Sequence, residues 1–121
     1  MMEPMPTHAD HPPLLVACLC AQWCGTCRDY RVLFDGLQAG FPQARFVWVD
    51  VEDQADLVEP IDVEDFPTLL LVWQGEARFF GTLTPHLETV RRLIQNQLDA
   101  PGQALTDPAV QALAGRLLSG V

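Results

Sequence analysis

Lysine is absent from this 121-residue chain. Its only strong bases are seven arginines, set against sixteen acids, for a net charge of −9. That balance excludes nucleic acids and anionic membranes as partners, because both are bound through basic surface. No run approaches the ~18–20 apolar residues of a membrane span, and there is no internal repeat or low-complexity tract. Residues 1–13 lack the basic and apolar regions of a signal peptide. With four prolines and two histidines, they read as a flexible arm. A chain without an export signal is expected in the reducing cytoplasm, where cysteines serve catalysis or metal binding more often than structural disulfides.

The chain has 49% hydrophobic and 19% charged residues, the composition of one ordinary globular domain, and a monomer is expected. Eight of the sixteen acids lie between Asp50 and Asp65 with no basic residue among them. They form either a solvated helix and loop or, since Glu64 and Asp65 directly precede Phe66-Pro67, the rim of a groove that attracts basic substrates.

Four cysteines crowd into ten residues. The run Leu14-Leu15-Val16-Ala17-Cys18-Leu19-Cys20 follows Pro12-Pro13 and reads as a buried strand. From Cys27 on, Tyr30, Leu33, Phe34, Leu37 and Phe41 recur at helical steps. The segment Trp23-Cys24-Gly25-Thr26-Cys27 therefore joins a strand to a helix and places two thiols at the helix N-terminus. Unpaired N–H groups and the helix dipole stabilise a thiolate there. Two thiols on one helical turn can close a disulfide and reopen it. Cys24, at the helix start, is the expected nucleophile that forms a mixed disulfide with substrate, and Cys27 the thiol that resolves it.

The pattern resembles the thioredoxin family over roughly residues 14–98. Trp23 precedes the cysteine pair and Arg28 follows it. Phe66-Pro67-Thr68 then enters the apolar run Leu69-Leu70-Leu71-Val72-Trp73, Gln74-Gly75-Glu76 reads as a hairpin turn, and Phe79-Phe80-Gly81 as a closing strand. The resemblance implies an α/β fold, a three-layer sandwich with a mixed central sheet, and dithiol–disulfide exchange with disulfide-bearing protein substrates. An upstream thiol reductant would regenerate the dithiol, with no bound cofactor and no metal. It also implies a cis-proline loop at Pro67 that exposes the Phe66 backbone to an extended peptide, a groove glycine at Gly81, and apolar groove walls from Trp23 and Phe66. Gly25-Thr26 stands where the family commonly has glycine and proline, a pair that tunes the redox potential.

The expected elements are strands 14–20, 45–50, 68–73 and 76–81, and helices 24–40, 53–60 and 85–98. Asp53 is the expected cap of the short helix. The space before residue 14 is too short for the family's first strand and helix, so a reduced N-terminal unit is expected. Beyond residue 98, Ala100-Pro101-Gly102 breaks the chain. Asp107-Pro108 then opens an extra helix with Val110, Leu113, Ala114 and Leu117 on one face. The domain plan is thus an arm (1–13), a core domain (14–98) and an extension (99–121) whose helix packs on the domain or offers a partner face.

The chain departs from the family beneath the motif. Where thioredoxins bury an aspartate and its basic partner, it has Cys18 and Trp48, so Cys27 loses its candidate base and slow resolution is expected. Cys18 and Cys20 share one face of the strand and are auxiliary thiols open to three readings: packed hydrophobes, a reserve disulfide of Cys18 with Cys27, or part of a four-thiolate metal site. Loss of turnover would leave the alternative of an interaction module on the same fold.

Overall fold

The computed structural model describes residues 14–21, 25–59, 61, 63, 67–82, 87–100 and 102–120. Four strands, β1 (Leu14–Cys20), β2 (Ala44–Asp50), β3 (Thr68–Trp73) and β4 (Glu76–Thr82), form one sheet in the order β2-β1-β3-β4. β1 runs parallel to β2 and antiparallel to β3, which is antiparallel to β4. The helices are α1 (Gly25–Gly40), α2 (Ala55–Val58), α3 (Leu87–Asp99) and α4 (Pro108–Gly120). The expected arm over residues 1–13 lies outside the described residues.

β1 is buried along its whole length because it is a central strand covered on both faces, which is why it reads as a continuous apolar run rather than an alternation. Its even residues, Leu14, Val16, Cys18 and Cys20, join Tyr30, Phe34 and Leu37 of α1 and Val90 and Ile94 of α3 in one core. Its odd residues, Leu15, Ala17 and Leu19, join Leu70, Val72 and Ala77 in a second core, closed by Val110, Leu113, Ala114 and Leu117 of α4. The result is helix, sheet, helix: three layers with the mixed sheet in the middle.

Leu33, expected in the buried stripe of α1, is 44% exposed. At 3.6 residues per turn it lies about 60° from Tyr30, on the side away from Cys27, so it falls at the stripe's edge. The short helix is also tighter than expected, four residues instead of 53–60. Asp53 does not cap it. The Asp50 carboxylate instead accepts the N–H groups of Glu52 and Asp53 at 2.9 and 3.1 Å, which turns the chain before the helix starts. At the other end Glu59 adopts φ −57°, ψ 143°, the extended conformation that a following proline imposes.

The β3–β4 turn follows its sequence signal. Gln74 and Gly75 have φ of 50° and 88°, the two positive values of a type I′ hairpin. At the extension, Asp107 Oδ1 accepts the Ala109 N–H at 2.9 Å and caps α4. Arg116 of α4 donates to the Leu57 and Glu59 carbonyls at 2.8 and 2.9 Å and ties α2 to it. Gln111 donates to the carbonyls of Ala77 and Leu105 and accepts the Ala77 N–H.

Candidate active site

β1 and α1 converge where the strand ends and the helix begins, and the cysteines gather there. Cys27 occupies the first turn of α1 and is 1% exposed, while Cys18 and Cys20 are fully buried. The alternation of the strand puts both on the α1 face, as expected from their spacing. Trp23, Cys24 and Phe66 lie outside the described residues, as do Glu64 and Asp65.

The structure pairs Cys27 with Cys20, across a Cα–Cα distance of 5.9 Å, within the usual disulfide span. The reserve disulfide of Cys18 with Cys27, one of the three readings of the auxiliary thiols, is not the pairing present here. Cys20 ends β1, beneath the first turn of α1, whereas Cys18 lies two residues back, roughly 6.6 Å further along the strand. Cys18 remains a free, buried thiol with its Sγ 3.9 Å from that of Cys20. A disulfide sulfur has no proton, so Cys18 donates in this weak contact. Burial pushes the Cys18 thiol up from 9.0 to about 12, because the interior disfavours a thiolate. The Tyr30 phenol of the same core is raised too, first by burial and then by Cys18. Cys27 shares this core with Cys18, Cys20, Tyr30 and Phe34.

Cys18 stands beside Trp48 in the parallel register of β1 and β2. Trp48 packs edge-on against Phe34, with ring centroids 5.7 Å apart. The Arg31 guanidinium sits 5.3 Å from the Trp48 ring centroid, a cation–π contact that brings a positive charge over the strand without burying it. Alongside, an open cavity of about 500 Å³ is lined by Cys27, Arg28, Arg31, Trp48, Asp50 and Asp53, among others. Among the described residues, Asp50 and Asp53, at the start of the acidic stretch, share this cavity with Cys27.

Of the remaining expected residues, Gly25 and Thr26 open α1. Pro67 is buried immediately before β3, and Gly81 pairs with Leu69 across the β3–β4 ladder. A Cβ at Gly81 would meet the tip of the Phe79 ring at 3.4 Å. Among the described residues, no three His, Cys, Asp or Glu side chains are placed to hold a metal ion. No helix among them is long and apolar enough to cross a membrane.

Residues 7–94 match the family model described as Thioredoxin. A thioredoxin H-type from Picea mariana is 35% identical over 68 residues, 56% of this chain and 54% of that protein. Thioredoxin-1 from Saccharomyces cerevisiae is 33% identical over 63 residues, 52% of this chain and 61% of its own length. The matched region thus spans little more than half of these curated relatives. Among solved structures, Fasciola hepatica thioredoxin superposes with a TM-score of 0.65 at 23% identity, over 75% of this chain and 86% of that one. The oxidised mitochondrial thioredoxin 3 of Saccharomyces cerevisiae gives 0.64 at 23% identity, over 74% and 84%. At this identity the superpositions speak for the fold.

Proposed function

This chain belongs to the thioredoxin family, and from that premise we propose that it is a thiol–disulfide oxidoreductase acting through Cys24 and Cys27 on disulfide-bearing proteins, in the direction of reduction. The Cys24 thiolate attacks one sulfur of the substrate disulfide, forming a mixed disulfide and expelling a substrate thiolate. Cys27 then attacks Cys24 and expels the second one. The protein is left with a Cys24–Cys27 disulfide that an upstream thiol reductant reopens. The observation that carries this reading is Cys27 itself: a sulfur in the first turn of α1 that forms a disulfide, here with Cys20.

Phe66, Pro67 and Gly81 are proposed to line the groove that takes an extended substrate segment, with Trp23 as an apolar wall. Asp50 and Asp53 beside Cys27 favour segments carrying positive charge. The proposed setting is a monomer in the reducing cytoplasm. The position beneath Cys27 that the resemblance gives to a buried acid holds Cys18, and a neutral thiol there supports a slow enzyme. Cys18, which holds its own proton to about pH 12, is a poor substitute.

Insulin reduction with dithiothreitol as electron source tests the proposal. The wild-type protein should accelerate it and Cys24→Ser should return it to the background rate. A wild-type rate at background would sink the catalytic reading and leave the fold as an interaction module.

A further inference from the structure

Cys20 takes no part in the exchange just described, yet it is the partner that the structure gives to Cys27. Cys20 and Cys27 are 0% and 1% exposed, their Cα atoms are 5.9 Å apart, and Cys18 Sγ stands 3.9 Å behind Cys20 Sγ. Three sulfurs thus lead from the N-terminus of α1 into the core of the sheet. Cys24, outside the described residues, is three residues from Cys27 in sequence, the spacing of the proposed exchange pair.

We propose that Cys27 exchanges partners between Cys24 and Cys20, so that the chain moves its disulfide inward from Cys24–Cys27 to a buried Cys20–Cys27. This rests on the proposed exchange, whose product is the Cys24–Cys27 disulfide from which the shift starts. In the step, the Cys20 thiolate attacks Cys27 Sγ. The Cys20–Cys27 bond forms, the Cys24–Cys27 bond breaks, and Cys24 leaves as a thiolate. The proton lost from Cys20 is matched by one gained at Cys24 or in solvent, and nothing is oxidised or reduced overall.

The surroundings favour this direction. A thiolate is penalised inside the apolar core and stabilised at a helix N-terminus, so the neutral disulfide goes inward and the charge ends on Cys24. The Cys18 S–H, already directed at the Cys20 sulfur, can donate to it while charge develops there. The inward isomer also changes what the protein can do. Cys24 becomes a lone thiol whose resolving partner is occupied, and a mixed disulfide formed on it persists until a low-molecular-weight thiol such as glutathione releases it. One chain then has a dithiol mode and a monothiol mode.

The test is disulfide mapping of the full chain, oxidised in glutathione buffer, quenched in acid and alkylated after denaturation. Trypsin leaves all four cysteines in the fragment 1–28. Chymotrypsin, cutting after Leu19, Trp23 and Tyr30, separates residues 20–23 from 24–30. The expected product is a 20–23 fragment disulfide-linked to 24–30, with one alkyl group on Cys24. Cys24→Ser should form the same link on oxidation and Cys20→Ser should lose it, while Cys20→Ser still reduces insulin. If wild-type protein yields only an internal disulfide within 24–30, with Cys20 alkylated, the partner exchange is overturned even though insulin reduction stands. If the link forms in Cys24→Ser but the wild type does not reduce insulin, the oxidoreductase reading fails and the buried disulfide remains.

Discussion

The Cys18→Asp substitution puts a carboxyl at the position to which the resemblance assigns the family's buried acid, and the surroundings of Cys18 set what that carboxyl should do. Burial raises the Cys18 thiol from 9.0 to about 12, a shift of roughly three units. The same desolvation acting on a carboxyl with an ordinary pKa of ~3.9 puts it near 7. A base of that pKa is matched to neutral pH and can take the Cys27 proton as Cys27 attacks the mixed disulfide. The stability consequence has a definite sign. An acid whose pKa is raised by folding leaves stability intact below ~3.9 and removes it as pH rises toward 7, by up to about 4 kcal/mol for three units. That is a large share of the ~5–15 kcal/mol of a typical domain, so unfolding must be measured beside activity, with Cys18→Asn as the control that cannot titrate.

In single-turnover reduction of a disulfide peptide, Cys18→Asp should release the second thiol at least about tenfold faster than Cys18→Asn above pH ~7, with an inflection that Cys18→Asn lacks. If the two variants are folded and give superimposable pH profiles, the missing base does not limit resolution and the argument from burial is wrong.

Two further predictions concern stability. The Cys18 thiol keeps its proton in the folded chain up to about 12, whereas the unfolded chain loses it near 9, so this contribution is fully present below pH ~9 and is lost as pH rises toward 12. Urea unfolding in the presence of reductant should show the wild type losing about 1.3 kcal/mol more than Cys18→Ala between pH ~8 and ~10; equal losses would remove Cys18 as the cause. Gln111 holds the Ala77 N–H and carbonyl and the Leu105 carbonyl at 2.8, 3.2 and 2.8 Å. Gln111→Ala should therefore destabilise by about 2–3 kcal/mol, because buried backbone groups lose their partners. A change below about 0.5 kcal/mol in the urea midpoint would mean that water replaces the side chain at no cost.

Much of the fold is visible in local chemistry. The uninterrupted apolar run of β1 marks a strand covered on both faces. The spacing of Tyr30, Phe34, Leu37 and Phe41 marks the helix beside it, and Gln74-Gly75 marks a turn that needs two positive φ values. Val110, Leu113, Ala114 and Leu117 likewise mark an apolar face on the last helix. These signals are periodic or conformational, and a short window contains all the information they carry. The groove roles proposed for Phe66, Pro67 and Gly81 come only from the resemblance, since no local pattern distinguishes them from ordinary loop and strand residues.

Where those faces meet is a different kind of fact. That α4 closes the core formed by Leu70, Val72 and Ala77 depends on the path of the chain around the sheet. That Leu33 is exposed depends on the rotation of α1 over β1. Asp50 holds the turn before α2 and the helix has no side-chain cap, because the end of β2 sets the direction in which the chain enters the turn. Alternation alone could place Cys18 and Cys20 on the α1 face. Only the point where β1 stops beneath the helix decided that Cys20 reaches Cys27 while Cys18 is left a strand pleat behind. The sequence by itself determined which side chains are apolar, which can titrate and which faces they share, because those properties belong to residues and their neighbours along the chain. The tertiary structure decided which sulfur meets which, because a bond a few ångströms long depends on how two elements cross.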